Sequence, residues 1–500
     1  MRQTPPPVNF IEDVVERFPS ARPALLALDA ERGRRVWHFG ELFAMSAGLS
    51  GALAARGVRR GDVVMTLAGS RVEWVLALLA CFRMGAVALP CNPQLRRKDL
   101  ELRVAAANPA VCIGEERYLG ELPAGVPYLD MDEVERVLDE DERQEPPAEL
   151  QDLDPEDPAV IIFTSGTTGD PRGVVYSQRY LAGQRLQAEH WVGAEDGELA
   201  WCTAAPGWSK STRNIFIAPW LRGAAALIHD GRFDPAERLE ILAREGVNVL
   251  CQAPTEYRML ARRAELWPIG TLRRMISAGE PLNPEVIRDF REHTGLTIGD
   301  GYGQTETGAV TGMRPGEADP SRDGSMGRPL PGIEVRVVTS GGESEGAATA
   351  VGELQVRPET VPTFFSHYLG AEPFFGEWWA TGDQVRQDED GYLWFEGRDD
   401  DIIVSAGYRI GPFEVESALG SHPKVAEAAA VAAPDEERGS VVRAIVVLHG
   451  AEPSDALARE LQEHVKANTA PYKYPRIVEF AAELPRTASG KVRRSELRAG

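Results

Sequence analysis

The spacing of apolar and polar positions changes along this chain, and the changes divide it. Over residues 10–113, segments of helical period alternate with short apolar runs such as DVVMTL (62–67) and GAVALP (85–90). Between those runs Val72, Val75, Leu76 and Leu79 fall at helical spacing, which predicts the strand–helix–strand unit that builds parallel sheets. Farther on, Asp234, Pro235 and Glu237 read as N-cap, first-turn proline and capping-box partner of a helix that carries Leu239 and Leu242 inward and ends at Gly246. VNVLCQ (247–252) reads as the strand after it, and a second such cycle runs through RRMISAGEPL (273–282), a helix from Pro284, and LTIGDGYGQTETG (296–308). From Met326 to Phe395 the pattern shortens to alternating segments, IEVRVV and GELQVR among them, with Gly-rich turns, as in a small antiparallel β subdomain. GRDDDIIVSAGYRIGPFEVE (397–416) separates this from a last stretch with its own signals: VAEAAAVAAP, VVRAIVVL, and a helix bearing Leu457, Leu461 and Val465. The expected class is α/β. A large N-terminal domain, residues 1–398, combines layered α/β sheets with the β subdomain, and a smaller α+β domain spans residues 399–500.

Length and composition fit that division. A chain of 500 residues exceeds what one core usually organises, and its 43% apolar and 26% charged residues are those of an ordinary globular protein. A net charge of -22 argues against a nucleic-acid partner, while leaving room for a locally positive pocket. Residues 130–157 hold fourteen acidic side chains against two basic ones, punctuated by Pro146, Pro147, Pro155 and Pro158, and so predict a solvated connector without chemistry. Cys81, Cys91, Cys112, Cys202 and Cys251 are scattered, odd in number and set mostly in apolar sequence, which predicts buried reduced thiols in a cytoplasmic protein. MRQTPPPVNF has no apolar signal region and the longest apolar run, 74–90, is cut by Arg83, so neither a signal peptide nor a membrane span is expected.

Candidate chemistry begins at TSGTTGDPRG (164–173), directly after the apolar run AVIIF (159–163). A buried strand that empties into such a loop presents backbone donors, the hydroxyls of Thr164, Ser165, Thr167 and Thr168, and one cation, Arg172, with Gly166, Gly169 and Gly173 allowing close approach to a phosphate. No Gly-Lys-Ser/Thr follows at the P-loop interval.

Read with SAGEP, GDGYGQTETG, TGD (381–383), GRDDDIIVSAGYRIGPFEVE and PRTASGK (485–491), the loop resembles the adenylate-forming superfamily of acyl-CoA synthetases, peptide-synthetase adenylation domains and luciferases. GYRIGPFEVE, TAPYKYPR (469–476) and the WSKS segment are most similar to medium-chain acyl-CoA synthetases. The resemblance implies two displacements. A carboxylate attacks the α-phosphorus of ATP and expels pyrophosphate, and a thiol then attacks the acyl carbon and releases AMP. It implies ATP and Mg²⁺ as cofactors and CoA as co-substrate. The loop from Thr164 to Arg172 would hold the β- and γ-phosphates, Thr305 the α-phosphate, and Glu306, with Thr164, the metal. Gly279, Glu280, Pro281, Asp300, Gly301 and Tyr302 would form the adenine pocket, with Gly303 and Gln304 also on the nucleotide and Asp383 and Arg398 on the ribose and phosphate side. Lys491 matches the family's mobile catalytic lysine, Asp400 the hinge about which a C-terminal lid turns, Gly407 and Tyr408 the pantetheine tunnel, and Arg409, Arg438 and Arg476 the CoA-side contacts. The phosphate loop departs from the family in one place, where Arg172 replaces the usual lysine and puts a planar fork in place of a point charge.

The same resemblance aligns AAPGWSKSTRNIFIAPW (204–220) with the acyl site and makes Trp208 its candidate wall, for a small apolar monocarboxylic acid of short to medium chain or aryl type. No Asp there suits the ammonium of an amino acid. A stand-alone adenylation enzyme that loads a carrier protein is the rival enzyme, and a non-catalytic acyl- or nucleotide-binding regulator the rival outside enzymology. Arg438 and Arg476 favour CoA as the acceptor. The oligomeric state is left open.

Overall fold

The computed structural model describes residues 8–29, 33–138, 146–164, 171–339, 342–343, 351–398, 401–405, 408–435, 438–486 and 492–499, with the side chains of 135–138, 342–343, 409 and 499 left aside. Among them, two large sheets face each other across a layer of helices. The seven-stranded sheet runs in the order His367–Tyr368, Gly173–Ser177, Pro158–Phe163, Val87–Cys91, Val63–Leu67, Val111–Gly114, Tyr128–Asp130. From Pro158–Phe163 to Tyr128–Asp130 its strands are parallel. The nine-stranded sheet has a parallel centre of Ile298–Gln304, Arg274–Ala278, Val249–Gln252, Leu199–Cys202, Ala225–His229 and Pro23–Asp29, with antiparallel strands at both edges.

Alternation along each strand decides which core it feeds. Val160 and Ile162 join the cluster between the sheets, whereas Ile161 and Phe163 point to the outer cluster under the helix Arg97–Ala107. The helix Val72–Met84 is apolar on all sides and is buried along nearly its whole length, as a helix between two sheets must be. Its end at Gly85, φ +69°, is a left-handed cap. On the far face of the nine-stranded sheet lie Pro235–Arg244, Pro254–Arg263 and Pro284–Thr294, each with proline at its first turn. Asp234 caps the first of them by accepting the Glu237 backbone N–H at 2.9 Å.

A five-stranded antiparallel sheet follows, in the order Gly342–Glu343, Val335–Thr339, Val351–Val356, Trp379–Gln387, Leu393–Arg398. The smaller C-terminal unit carries the ribbon Ile403–Ser405/Tyr408–Ile410, the helix Pro412–Gly420, and the sheet Val425–Asp435, Gly439–Leu448, Ile477–Ala481. The helix Asp455–Asn468 seals that sheet with Leu457, Leu461 and Val465. The expected large α/β unit and smaller α+β unit are both present.

The acidic stretch departs from expectation. It is not merely a solvated connector: it contains the helix Met131–Leu138, Val8 bridges Leu153, and the Asn9 amide donates to the Gln151 carbonyl at 2.9 Å. Val134 and Leu153 are buried, so a few apolar residues dock the described parts of the segment. All five cysteines are buried and unpaired by disulfides. Among the described residues no helix is long and apolar enough to cross a membrane.

Candidate active site

Three sheets meet at one cleft. A cavity of about 340 Å³ is lined by Gln304 and Glu306 from the end of a nine-stranded-sheet strand, Tyr368 from the seven-stranded sheet, and Glu353, Trp379, Ala380, Thr381, Gly382 and Arg398 from the five-stranded sheet. The ends of parallel strands are where open α/β sheets bind ligands, because connecting loops diverge there and leave a crevice.

Asp383 is the centre of the cleft's polar network. The hairpin Trp379–Gln387/Leu393–Arg398 pairs it with Arg398, and the guanidinium lies 3.4 Å from its Oδ1. The Tyr302 hydroxyl donates to its Oδ2 at 2.5 Å and the Gln304 amide to the same oxygen at 2.8 Å. Trp379 Nε1 in turn donates to Gln304 Oε1 at 3.1 Å, which fixes the amide's orientation. Burial, and then the charge of Asp383, push the Tyr302 phenol well above its ordinary pKa, so it stays a donor. An ionised carboxylate fixed by donors at a cleft wall is suited to accept hydroxyls of a sugar.

The strand Pro158–Phe163 delivers Thr164, and the glycine-rich loop returns through Arg172. The Thr164 N–H donates to the Arg172 carbonyl at 2.9 Å and the Arg172 N–H to Thr164 Oγ1 at 3.2 Å, which pins the two ends of the loop together. The Arg172 guanidinium lies 3.3 Å above the Tyr368 ring. Tyr368 donates its hydroxyl to Glu306 Oε1 at 2.8 Å, and burial, then the Glu306 charge, raise its pKa. Tyr176 donates to the Thr305 carbonyl at 2.5 Å, so the Thr305–Glu306 turn is held from the strand that follows the loop.

The model of the AMP-binding enzyme family matches residues 11–368, and that of the AMP-binding enzyme C-terminal domain matches residues 414–491. The chain belongs to the AMP-binding enzyme family. This AMP-binding enzyme is 38% identical to the "uncharacterized acyl-CoA ligase YtcI" of Bacillus subtilis, over 98% of this chain and 96% of that protein. It is 36% identical to the mitochondrial acyl-coenzyme A synthetase ACSM3 of Mus musculus, over 98% and 90%. The crystal structure of the anthranilate CoA ligase AuaEII in complex with anthranoyl-AMP superposes with a TM-score of 0.87 at 29% identity, covering 99% of this chain and 97% of that one. The AMP-binding enzyme described here is thus an adenylate-forming, acyl-activating protein related to acyl-CoA synthetases.

Within this AMP-binding enzyme, Gln304, Glu306 and Arg398 line the cavity, and Tyr302 and Asp383 join them through the hydrogen bonds above. Gly279 forms an exposed turn at φ +99°, and Glu280 is tied back to the helix Pro254–Arg263 by Thr255 at 2.6 Å and Arg258 at 2.9 Å. Asp300 lies apart. Its carboxyl is 2% exposed, near Lys210, and burial raises its pKa well above the carboxylate range. Trp208 is half-buried at the start of the helical turn Ser209–Thr212. On the smaller unit, Tyr408 stacks on Tyr472 with centroids 4.3 Å apart, and Arg476 donates to the Tyr474 hydroxyl at 2.9 Å, so both meet the 472–474 segment. Arg438 sits in the turn after Val425–Asp435. Ser165, Gly166, Thr167, Thr168, Gly169, Asp400, Gly407, the Arg409 side chain and Lys491 lie outside the described residues. Sequence reasoning missed Tyr368, Trp379 and Glu353, which no motif marks; they reach the cleft only because the three sheets converge.

Proposed function

We propose that the protein is an ATP- and Mg²⁺-dependent acyl-CoA synthetase, built from an AMP-binding domain, residues 1–398, and a C-terminal lid, residues 399–500. The observation that carries the reading is the oriented Asp383–Tyr302–Gln304–Arg398 network at the wall of the cavity. In this reading Asp383 accepts the ribose hydroxyls, and the pinned loop between Thr164 and Arg172 receives the β- and γ-phosphates.

The donor set suits a hard cation. Glu306 lines the cavity and offers carboxylate oxygens, one of them steadied by Tyr368, so Glu306, together with Thr164 at the start of the glycine-rich loop, would hold Mg²⁺. When bound, the ion supplies neutralising charge to the phosphates. The protein's own part is to bring anions together: the acid's carboxylate oxygen bonds to the α-phosphorus as the bond to pyrophosphate breaks, and Arg172 and Arg398 offset the crowding of negative charge. The CoA thiol, losing its proton, then bonds to the acyl carbon as AMP leaves. Both relatives named above carry "acyl-CoA" activities in their names, which favours CoA over a carrier protein as acceptor. Tyr408 and Arg476, gathered on the 472–474 segment, support the same choice.

Pyrophosphate release with a panel of acids, followed by AMP release with CoA or with a phosphopantetheinylated carrier protein, tests the reading. CoA should serve and the carrier should not. Lys491→Ala should abolish acyl-adenylate formation and spare thioester formation from adenylate supplied ready-made, since a cation there matters only while charge builds on the α-phosphate. Equal loss in both half-reactions would remove Lys491 from the first step.

A further inference from the structure

Among the described residues Arg213 is a cation buried without an ion-pair partner. It opens the helical segment Arg213–Ile217, is 5% exposed, and carries N–H groups on Nε and Nη1 that find no acceptor among the described residues. Its guanidinium reaches the Thr305–Gly308 turn: a methyl group on Gly308 would stand 3.7 Å from Nη1. Unmatched polar groups gather around it. The Tyr180 hydroxyl lies beside the guanidinium, and the side-chain carbonyls of Gln184 and Gln187 also lack partners, although all three residues are 2% exposed or less. Gln187 donates to Asn214 at 3.0 Å, and Asn214 reaches Cys251 Sγ at 3.9 Å, at the end of a parallel strand. Lys210 holds the same region shut by donating to the Gln252 and Ala278 carbonyls at 2.8 and 3.2 Å.

An apolar tail beside these groups would leave the buried charge unmatched. Burying a guanidinium without an anion costs far more than burying a hydrocarbon of the same volume, and an anion from outside the chain recovers that cost. We propose that Arg213 receives a second carboxylate on the acid being activated, so that the substrate is a short or aryl dicarboxylic acid and not a plain alkyl acid. The proposal rests on the acyl-CoA synthetase reading and replaces the wholly apolar acyl site expected from the sequence. Gly308, against Arg213, is three residues from Thr305, at most about 10 Å of chain. The two carboxylates then lie no more than about 10 Å apart, a limit that diacids of four to six carbons or with one benzene ring satisfy.

The test uses the full-length enzyme and its Arg213→Leu and Arg213→Lys variants. Pyrophosphate release is measured with glutarate and adipate against pentanoate and hexanoate, and with terephthalate against 4-methylbenzoate and 4-hydroxybenzoate. Binding of the same acids without nucleotide is followed by titration calorimetry. At least one diacid should exceed its matched monoacid by about 10-fold or more in kcat/KM, mostly through KM. Arg213→Leu should reverse that ratio and Arg213→Lys restore part of it; if the leucine variant does not fold, Arg213→Gln gives the same comparison. Monoacids used as well as every diacid, with the ratio unmoved in the variants, would overturn the proposal and leave the synthetase reading intact. A preference for 4-hydroxybenzoate over terephthalate would also overturn it, in favour of a neutral tail. If no acid releases pyrophosphate, the synthetase reading fails, and calorimetry decides on the anion site: diacid binding lost on removing Arg213 keeps it, and no diacid binding to the wild type ends it.

Discussion

At the scale of single residues, the cleft depends on how one carboxylate is held. Asp383 is 4% exposed and takes two hydrogen bonds on Oδ2, so its charge is stabilised by donors rather than by water. Asp383→Asn keeps the shape but removes the charge and turns one acceptor into a donor. A charge-assisted hydrogen bond is worth about 1.5–3 kcal/mol, so KM for ATP should rise about 10- to 100-fold in the pyrophosphate-release assay, with the melting temperature little changed. An unaltered KM would mean that the nucleotide sugar sits elsewhere. Asp383, Tyr302 and Arg398 were legible in the sequence because each lies in a motif with a recognisable companion. Arg213 was not. It stands in an apolar stretch that reads as an acyl-site wall, and only burial without an acceptor reveals its charge as the feature of that wall.

At the scale of elements, close backbone approach shapes the site more than side-chain choice does. The antiparallel pair Ile298–Gln304/Gly308–Gly312 slips register between Tyr302 and Gly303, which turns Gln304 and the Thr305–Gly308 turn toward the cleft. A Cβ on Gly303 would lie 1.8 Å from the Gly308 carbonyl oxygen and 2.9 Å from the Ala309 Cα. Both obstacles are backbone, so neither can rotate aside. Gly303→Ala should destabilise by about 1–3 kcal/mol, visible as a lowered melting temperature, and should lose adenylation beyond what the lost stability explains. A variant with wild-type melting and activity would show that the bulge relaxes freely. Strands buried on both faces, such as Val63–Leu67 and Val87–Cys91, were readable as apolar runs. LTIGDGYGQTETG was readable both as a site and as the strand that closes the second cycle, although glycines replace most of the apolar residues that usually announce one. The acidic stretch was misread for the converse reason: composition described its carboxylates and concealed the docking of Leu153.

At the scale of the whole molecule, one guanidinium joins the two units through three carbonyls in the observed arrangement, beside the ring contact of Phe395 with Phe413. Arg262, on the large unit's helix Pro254–Arg263, donates to the carbonyls of Gly420 at 3.0 Å and Ala426 at 2.6 Å, and also to that of Val425. Gly420 ends the helix Pro412–Gly420, where the peptide dipoles leave partial negative charge, so the cation meets its field as well as its oxygens. The proposed chemistry requires the smaller unit to present different faces in the two steps, and a contact made in only one orientation biases that equilibrium by its own free energy. The site is partly open to solvent, so three such bonds are worth about 1 kcal/mol in all, roughly a fivefold change in population. Arg262→Ala should therefore accelerate, by up to about fivefold, whichever half-reaction needs the other orientation, and should not accelerate the one that uses this orientation. Arg262→Lys, with a single charged centre in place of a fork, should fall between. Separate rates for adenylate formation and for thioester formation from supplied adenylate, with melting temperature as a control, decide the matter. A parallel fall in both rates would make Arg262 a stability residue, and no change in either would show that the contact does not weigh on the turning of the lid.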